Sequence, residues 1–280
     1  MAALVGMLTA GLGCSGDLPD VSDVEKLRVL AVCADPPELS DPGESTLRAL
    51  VAGETGDVVY HWELCLLGGD PTMGFECRDE DARIDLGSAV EPTVPIPDLD
   101  PILAAAEAAG YTIDIEDGVD VQVKVTVTDG SDIRAEAIKQ LRISRKSDQN
   151  SNPALTGLDV DGVDWPADQG IVVRLGQEVT LLPHADEARL QRYDDQGVEV
   201  QEEALYSWFA ETGSFQKDRS SGEFPDNTWV APTRDELDDR VPPFEIGLWL
   251  VLRDRRGGCD WTQRRIRVVE GLPQAGAPAP

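Results

Sequence analysis

Basic residues are scarce in this chain: 24 Lys and Arg stand against 53 Asp and Glu, a formal net charge of −29 over 280 residues. A nucleic-acid partner is excluded, because affinity for a phosphate backbone comes from basic side chains displacing its counterions. Anionic lipid headgroups are excluded as direct partners on the same grounds. Histidine is scarcer still, with only His61 and His184. Neither lies near a Ser or Cys in a nucleophile setting, and no Gly-x-Ser-x-Gly occurs. Carboxylate pairs such as Asp194-Asp195 and Asp238-Asp239 fall in loop-like stretches, where acids are ordinarily solvated. The cysteine spacings fit no zinc pattern and neither histidine is near a cysteine pair, so no zinc site is expected; no cofactor is expected. No enzyme is expected either; an envelope hydrolase is the alternative from another class. No apolar run reaches the ~20 residues that a membrane-spanning helix needs.

What is present begins with an apolar stretch, Met1 to Gly13, that ends at Cys14 and turns polar at Ser15-Gly16-Asp17. Its length suits a signal-peptide core rather than a span. The small residues before a single cysteine resemble a bacterial lipoprotein signal. The resemblance implies that Cys14 becomes the acylated N-terminus, and so a membrane anchor. The alternative is a plain cleaved secretory signal with Cys14 incidental. Either way the chain is exported, into a compartment where disulfides are allowed. Of the remaining cysteines, Cys65 and Cys77 flank a Gly-Gly-Asp-Pro reversal and are expected to pair. Cys33 and Cys259 fall in different domains and are either free or a staple between them.

Short strand-like runs separated by turns fill the rest, with almost no helical periodicity, which argues for β-sandwiches. The reading divides the chain into a signal segment (1–14), a tether (15–25), a first sandwich (26–146), a polar linker (147–153), a second sandwich (154–270) and a Pro/Ala/Gly-rich tail (271–280) expected to be disordered. One helix, Ile102 to Ala109, is predicted as an insertion in the first sandwich. Asp100 would cap it, Pro101 would open it and Gly110 would close it. A pattern is used twice: Tyr60-x-Trp62 followed by Asp129-Gly130, then Tyr206-x-Trp208 followed by Asp254 with Gly257-Gly258.

The run from Tyr206 to Phe215, the segment Thr228-Trp229-Val230-Ala231-Pro232 and the closing Asp-x-x-Gly-Gly hairpin resemble bacterial Ig-like/PKD-like domains; the first half does so more loosely. Together they are similar to envelope lipoproteins of Gram-negative bacteria. The resemblance implies an all-β fold of two tandem immunoglobulin-like sandwiches, with Trp62, Trp208 and Trp229 in the cores and no catalytic residues. It implies an exported, non-enzymatic envelope lipoprotein, anchored at the outer membrane, that serves as a structural or binding module. A glycan- or protein-binding adhesin is the alternative. Asp148-Gln149-Asn150-Ser151-Asn152-Pro153 resembles the calcium-binding interdomain linker of cadherins. Oxygens of Asp148, Asn150 and Asn152 are the candidate ligands, and a plain polar linker is the competing reading. On the last hairpin, Trp249 alternates away from Ile246, Leu248, Leu250 and Leu252. It either projects outward, where it could hold a glycan or partner, or is covered by a loop or the neighbouring domain.

Overall fold

A computed structural model describes residues 21–54, 56–66, 74–75, 77, 82–108, 110, 115, 118–130, 133–195, 197–237 and 239–271. The expected signal segment, Cys14, residues 15–20 of the tether and residues 272–280 of the tail lie outside these. Among the described residues, no helix is long and apolar enough to cross a membrane.

The first half forms two facing sheets. One contains β1 (Arg28–Asp35), β3 (Gly43–Ala52) and β6 (Thr93–Ile96), in the order β1-β3-β6. The other contains β2 (Glu38–Leu39), β4 (Val59–Cys65), β5 (Arg83–Gly87), β7 (Val119–Thr128) and β8 (Arg134–Ile143), in the order β2-β8-β7-β4-β5. Strand alternation places Val121, Val123, Val125 and Val127 on one face of β7, against Trp62, Leu47 and Leu141. Trp62 is fully buried, and its indole N–H donates to the carbonyl of Ala89 at 3.0 Å.

The second half repeats the plan. Strands β9 (Leu155–Val160), β10 (Val163–Asp164), β12 (Glu178–Ala185), β16 (Ser214–Phe215) and β18 (Asn227–Val230) form one sheet, ordered β10-β9-β12-β18-β16. Strands β11 (Ile171–Arg174), β15 (Leu205–Ala210), β17 (Arg219–Ser221), β19 (Phe244–Arg253) and β20 (Cys259–Val269) form the other, ordered β11-β20-β19-β15-β17. In both halves a short strand joins the last strand in parallel, β2 with β8 and β11 with β20. Every other strand pairing is antiparallel, as in immunoglobulin-like sandwiches. Trp208 and Trp229 are fully buried in the second core. A hairpin of β13 (Arg192–Asp195) and β14 (Val198–Gln201) stands apart as a separate two-stranded sheet.

The inserted helix requires a correction. Every layer of the fold is made of strands, and no helix serves as one. Asp100–Ala108 does turn as a nine-residue α-helix in the connection between layers, but of its described side chains only Leu103 packs against the core. Alanine favours helix yet buries too little area to seat one on a sheet. The layers of the first sandwich are therefore all-β, and the helical turns lie in the connection between β6 and β7.

Residues 21–25 of the tether and the linker are also more ordered than expected. Ser22 and Val24 are buried, and residues 22–24 run alongside the end of β15 in the second sandwich. The Val24 N–H donates to Ala210, and the Ala210 N–H donates to Ser22. The chain therefore touches the second sandwich before it enters the first.

Candidate functional site: the seam between the sandwiches

Two strands of the second sandwich are apolar on both faces. In β19, Ile246, Leu248, Leu250 and Leu252 fill the second core, and Trp249 and Val251 point the other way. In β15, Tyr206 and Trp208 face inward while Phe209 faces out. A strand apolar on both faces needs a cover on both. The first sandwich supplies it: Leu30, Ala31, Leu50 and Ala52 of β1 and β3, with Val24, close over Trp249, Val251 and Phe209. Trp249 is 3% exposed, so it is not a surface aromatic for a glycan. Gly247 leaves room for its ring; a Cβ there would come within 2.5 Å of it. The indole nitrogen has no hydrogen-bond partner among the described residues, a penalty that the apolar burial outweighs.

Beside this patch, Cys33 of β1 and Cys259 of β20 form a disulfide with Cα atoms 5.6 Å apart, across a separation of 226 residues. The staple joins the sandwiches. Cys65 and Cys77 form the second disulfide, separated by 12 residues.

A polar clasp adjoins the disulfide, in the turn that leads into Cys259. The turn after β19 is organised by Asp254, whose Oδ1 accepts N–H groups from Arg256 at 2.8 Å and Gly258 at 2.9 Å. Gly257 has φ +108°, and a Cβ on Gly258 would meet the Asp254 carboxylate at 2.1 Å. These glycines aim Arg256 into the seam. Its guanidinium donates to Glu202 in the second sandwich at 3.0 Å, to Glu38 in the first at 3.2 Å and to the linker carbonyl of Asp148 at 3.2 Å. Tyr193 of the β13–β14 hairpin stacks on it, 4.4 Å from ring centroid to guanidinium carbon. Glu38 also accepts Ser144 Oγ and the Asn150 N–H. Glu202 also accepts the Gln191 N–H. Burial pushes the Glu202 carboxyl above the usual range, outweighing the nearby guanidinium.

The linker is part of this clasp. Asn150 is buried and donates to Asp254 at 2.9 Å; Asn152 donates to the carbonyl of Ala34 and accepts the Cys259 N–H. The side-chain amides of Asn150 and Asn152 thus serve as cross-braces, and Arg256 provides the positive charge among the carboxylates. Of the candidate ligand atoms, Asn152 Oδ1 is taken by the Cys259 N–H, while Asn150 Oδ1 is buried without a hydrogen-bond partner among the described residues. A cluster of Asp41, Asp98 and Asp100 lies elsewhere. There Arg145 bonds both Asp41 and Asp100, holding the Asp41 carboxyl below its usual range.

The hairpin, the exposed side of β8 and the 255–257 turn enclose a seam cavity of about 460 Å³, lined by Arg142, Lys146, Tyr193, Asp194 and Arg255 among others. Lys139 projects from β8 to the carbonyl of Gly257. Burial lowers its pKa to about 8. His61 and His184 lie on the exposed sides of β4 and β12, near Asp85 and Asp159 respectively. Sequence reasoning missed the clasp because its carboxylates and arginine come from three separate segments, around Glu38, Glu202 and the Asp254–Arg256 turn. The available signal was the pair of strands apolar on both faces.

Fold and seam together define a tandem immunoglobulin-like β-sandwich fused along one side. No protein-family model matches the chain, and no curated protein matches it. Among solved structures, the Ig1-2 module of the Drosophila receptor protein tyrosine phosphatase DLAR is similar at 9% identity and TM-score 0.26, covering 88% of this chain and 100% of that one. Murine CEACAM1b is similar at 14% identity and TM-score 0.22, covering 85% and 100%. A bacterial ice-binding adhesin is similar at 13% identity and TM-score 0.24, covering 87% and 66%. Scores at this level carry no argument, and the sandwich assignment rests on strand order and pairing.

Proposed function

We propose that this protein is an exported, non-enzymatic cell-envelope module, held to a membrane by lipid on Cys14 and acting as a rigid structural or binding element. The observation that carries the reading is the Cys33–Cys259 disulfide between sandwiches. A structural disulfide of this kind belongs to an oxidising compartment. It also converts two jointed domains into one stiff body, which suits a spacer or a presenting platform better than a flexible hinge. Arg256, Glu38, Glu202 and Asn152 support the non-enzymatic reading, because their side chains are engaged across the seam as braces. A glycan- or protein-binding adhesin is the second reading, and the open seam cavity of about 460 Å³ favours it. Under that reading the ligand meets the cavity wall, not Trp249.

Mass spectrometry of the native protein, with thiols alkylated before and after reduction, tests the proposal. The expected result is protection of Cys33, Cys65, Cys77 and Cys259 until reduction, with acyl chains on an N-terminal Cys14. Free thiols at Cys33 and Cys259 would remove the basis for export and rigidity. An unmodified Cys14 would remove the anchor.

A further inference from the structure

A second cavity at the seam, about 310 Å³, has an unusual lining for so acidic a chain. It lies between β1 of the first sandwich and β15, β17 and β19 of the second, and Arg28, Arg219, Arg253 and one acid, Asp218, line it. Arg253 donates to Ser207 Oγ and to the carbonyl of Leu30, both at 3.0 Å. Arg28 donates to the carbonyls of Val21 and Asp23 and stacks on Phe209. Asp218 accepts Ser22 Oγ at 2.8 Å. Among the described residues, none of the three arginines has a carboxylate within ion-pair distance. Burial lowers the pKa of Arg253, and the like charge of Arg219 lowers it further. Like charges that line one cavity without a carboxylate partner among the described residues repel one another unless an anion sits between them.

We propose that this cavity binds an oxyanion of the phosphate type, with Arg28, Arg219 and Arg253 as its ligands. Guanidinium forks match phosphate oxygens in pairs, which a lysine cannot do. Three positive charges against one Asp suit a dianion. The overall charge of −29 does not forbid this, because repulsion from exposed acids is screened beyond about 8 Å at physiological ionic strength. The whole-chain charge count that excludes anionic partners therefore fails at this one place. Val29, Leu30, Leu205 and Phe209 give the cavity an apolar wall, so the phosphate could be free or carried on a lipid headgroup. The site stands whether or not Cys14 is acylated.

The test is isothermal titration of inorganic phosphate into the full chain at constant ionic strength, set by chloride. It is repeated with Arg219→Gln, and with Arg192→Gln as a control on the distant hairpin. Arg219 lies exposed on the edge strand β17, and its side chain makes no hydrogen bond or ion pair among the described residues, so its loss leaves the fold intact. Saturable phosphate binding is expected, weakened at least about ten-fold by Arg219→Gln and unchanged by Arg192→Gln. Vesicles of phosphatidylglycerol, compared with phosphatidylcholine, identify the source. Arg219-dependent retention on the former assigns a headgroup, and its absence beside phosphate binding assigns a soluble phosphate. No heat of binding at millimolar phosphate, or equal binding by wild type and Arg219→Gln, would overturn the proposal.

Discussion

Arg256 is the residue on which the clasp turns. Its side chain is 14% exposed, and the Glu202 and Glu38 side chains it joins are 0% and 3% exposed. Removing one member of a buried pair leaves the other charge uncompensated, at a cost of about 3–5 kcal/mol. Arg256→Gln should therefore lower unfolding free energy by about 3 kcal/mol at neutral pH, toward the lower end because Ser144 and the Asn150 N–H still bond Glu38. Urea denaturation reads this directly. Glu202 gives the pH dependence its sign. With a raised carboxyl pKa, the folded protein holds this proton more tightly than the unfolded chain. That contribution is present below the ordinary glutamate range and is lost as pH rises through the raised value. The stability of wild type relative to Glu202→Gln should accordingly fall as pH rises from about 4 to 7. A difference that rises over that window would contradict the burial account. Trp249→Ala should cost about 3–5 kcal/mol, as for a large core aromatic, since it empties the apolar patch between the sandwiches. A near-neutral effect in thermal unfolding would mean that the patch is not closed.

At the scale of elements, the two disulfides act over very different lengths of chain. On the loop-entropy model, closing the 12-residue separation of Cys65–Cys77 stabilises by about 3 kcal/mol, and closing the 226-residue separation of Cys33–Cys259 by about 5 kcal/mol. Cys33→Ala with Cys259→Ala should therefore destabilise more than Cys65→Ala with Cys77→Ala in guanidinium titrations. The reverse order would show that the seam disulfide constrains little. Much of the strand plan could be read from the sequence, because alternation and Asp/Gly turns are local. The Tyr-x-Trp pairs mark β4 and β15, and Asp254 with Gly257-Gly258 marks the turn after β19. The seam was harder to read. Glu38, Asn150, Glu202 and Arg256 look like solvated surface residues until the fold brings them together. The polar loop around Asp194 gave no sign that its hairpin would seat Tyr193 against Arg256. The coiled segment at Asp100 was legible from its Asp-Pro start, but its failure to join the packing was not, since punctuation says nothing about buried area.

For the whole molecule, the central claim is that two sandwiches of repeated plan are one body. The apolar patch, the Cys33–Cys259 staple, the Arg256 clasp and the docking of residues 22–24 onto β15 all cross the seam. Independent tandem domains would unfold one after the other, whereas a fused pair unfolds as a unit. Differential scanning calorimetry of the oxidised full chain decides between them. The account predicts a single transition whose calorimetric enthalpy equals its van't Hoff enthalpy for the whole chain. Two resolved transitions, or a van't Hoff enthalpy near half the calorimetric value, would contradict it.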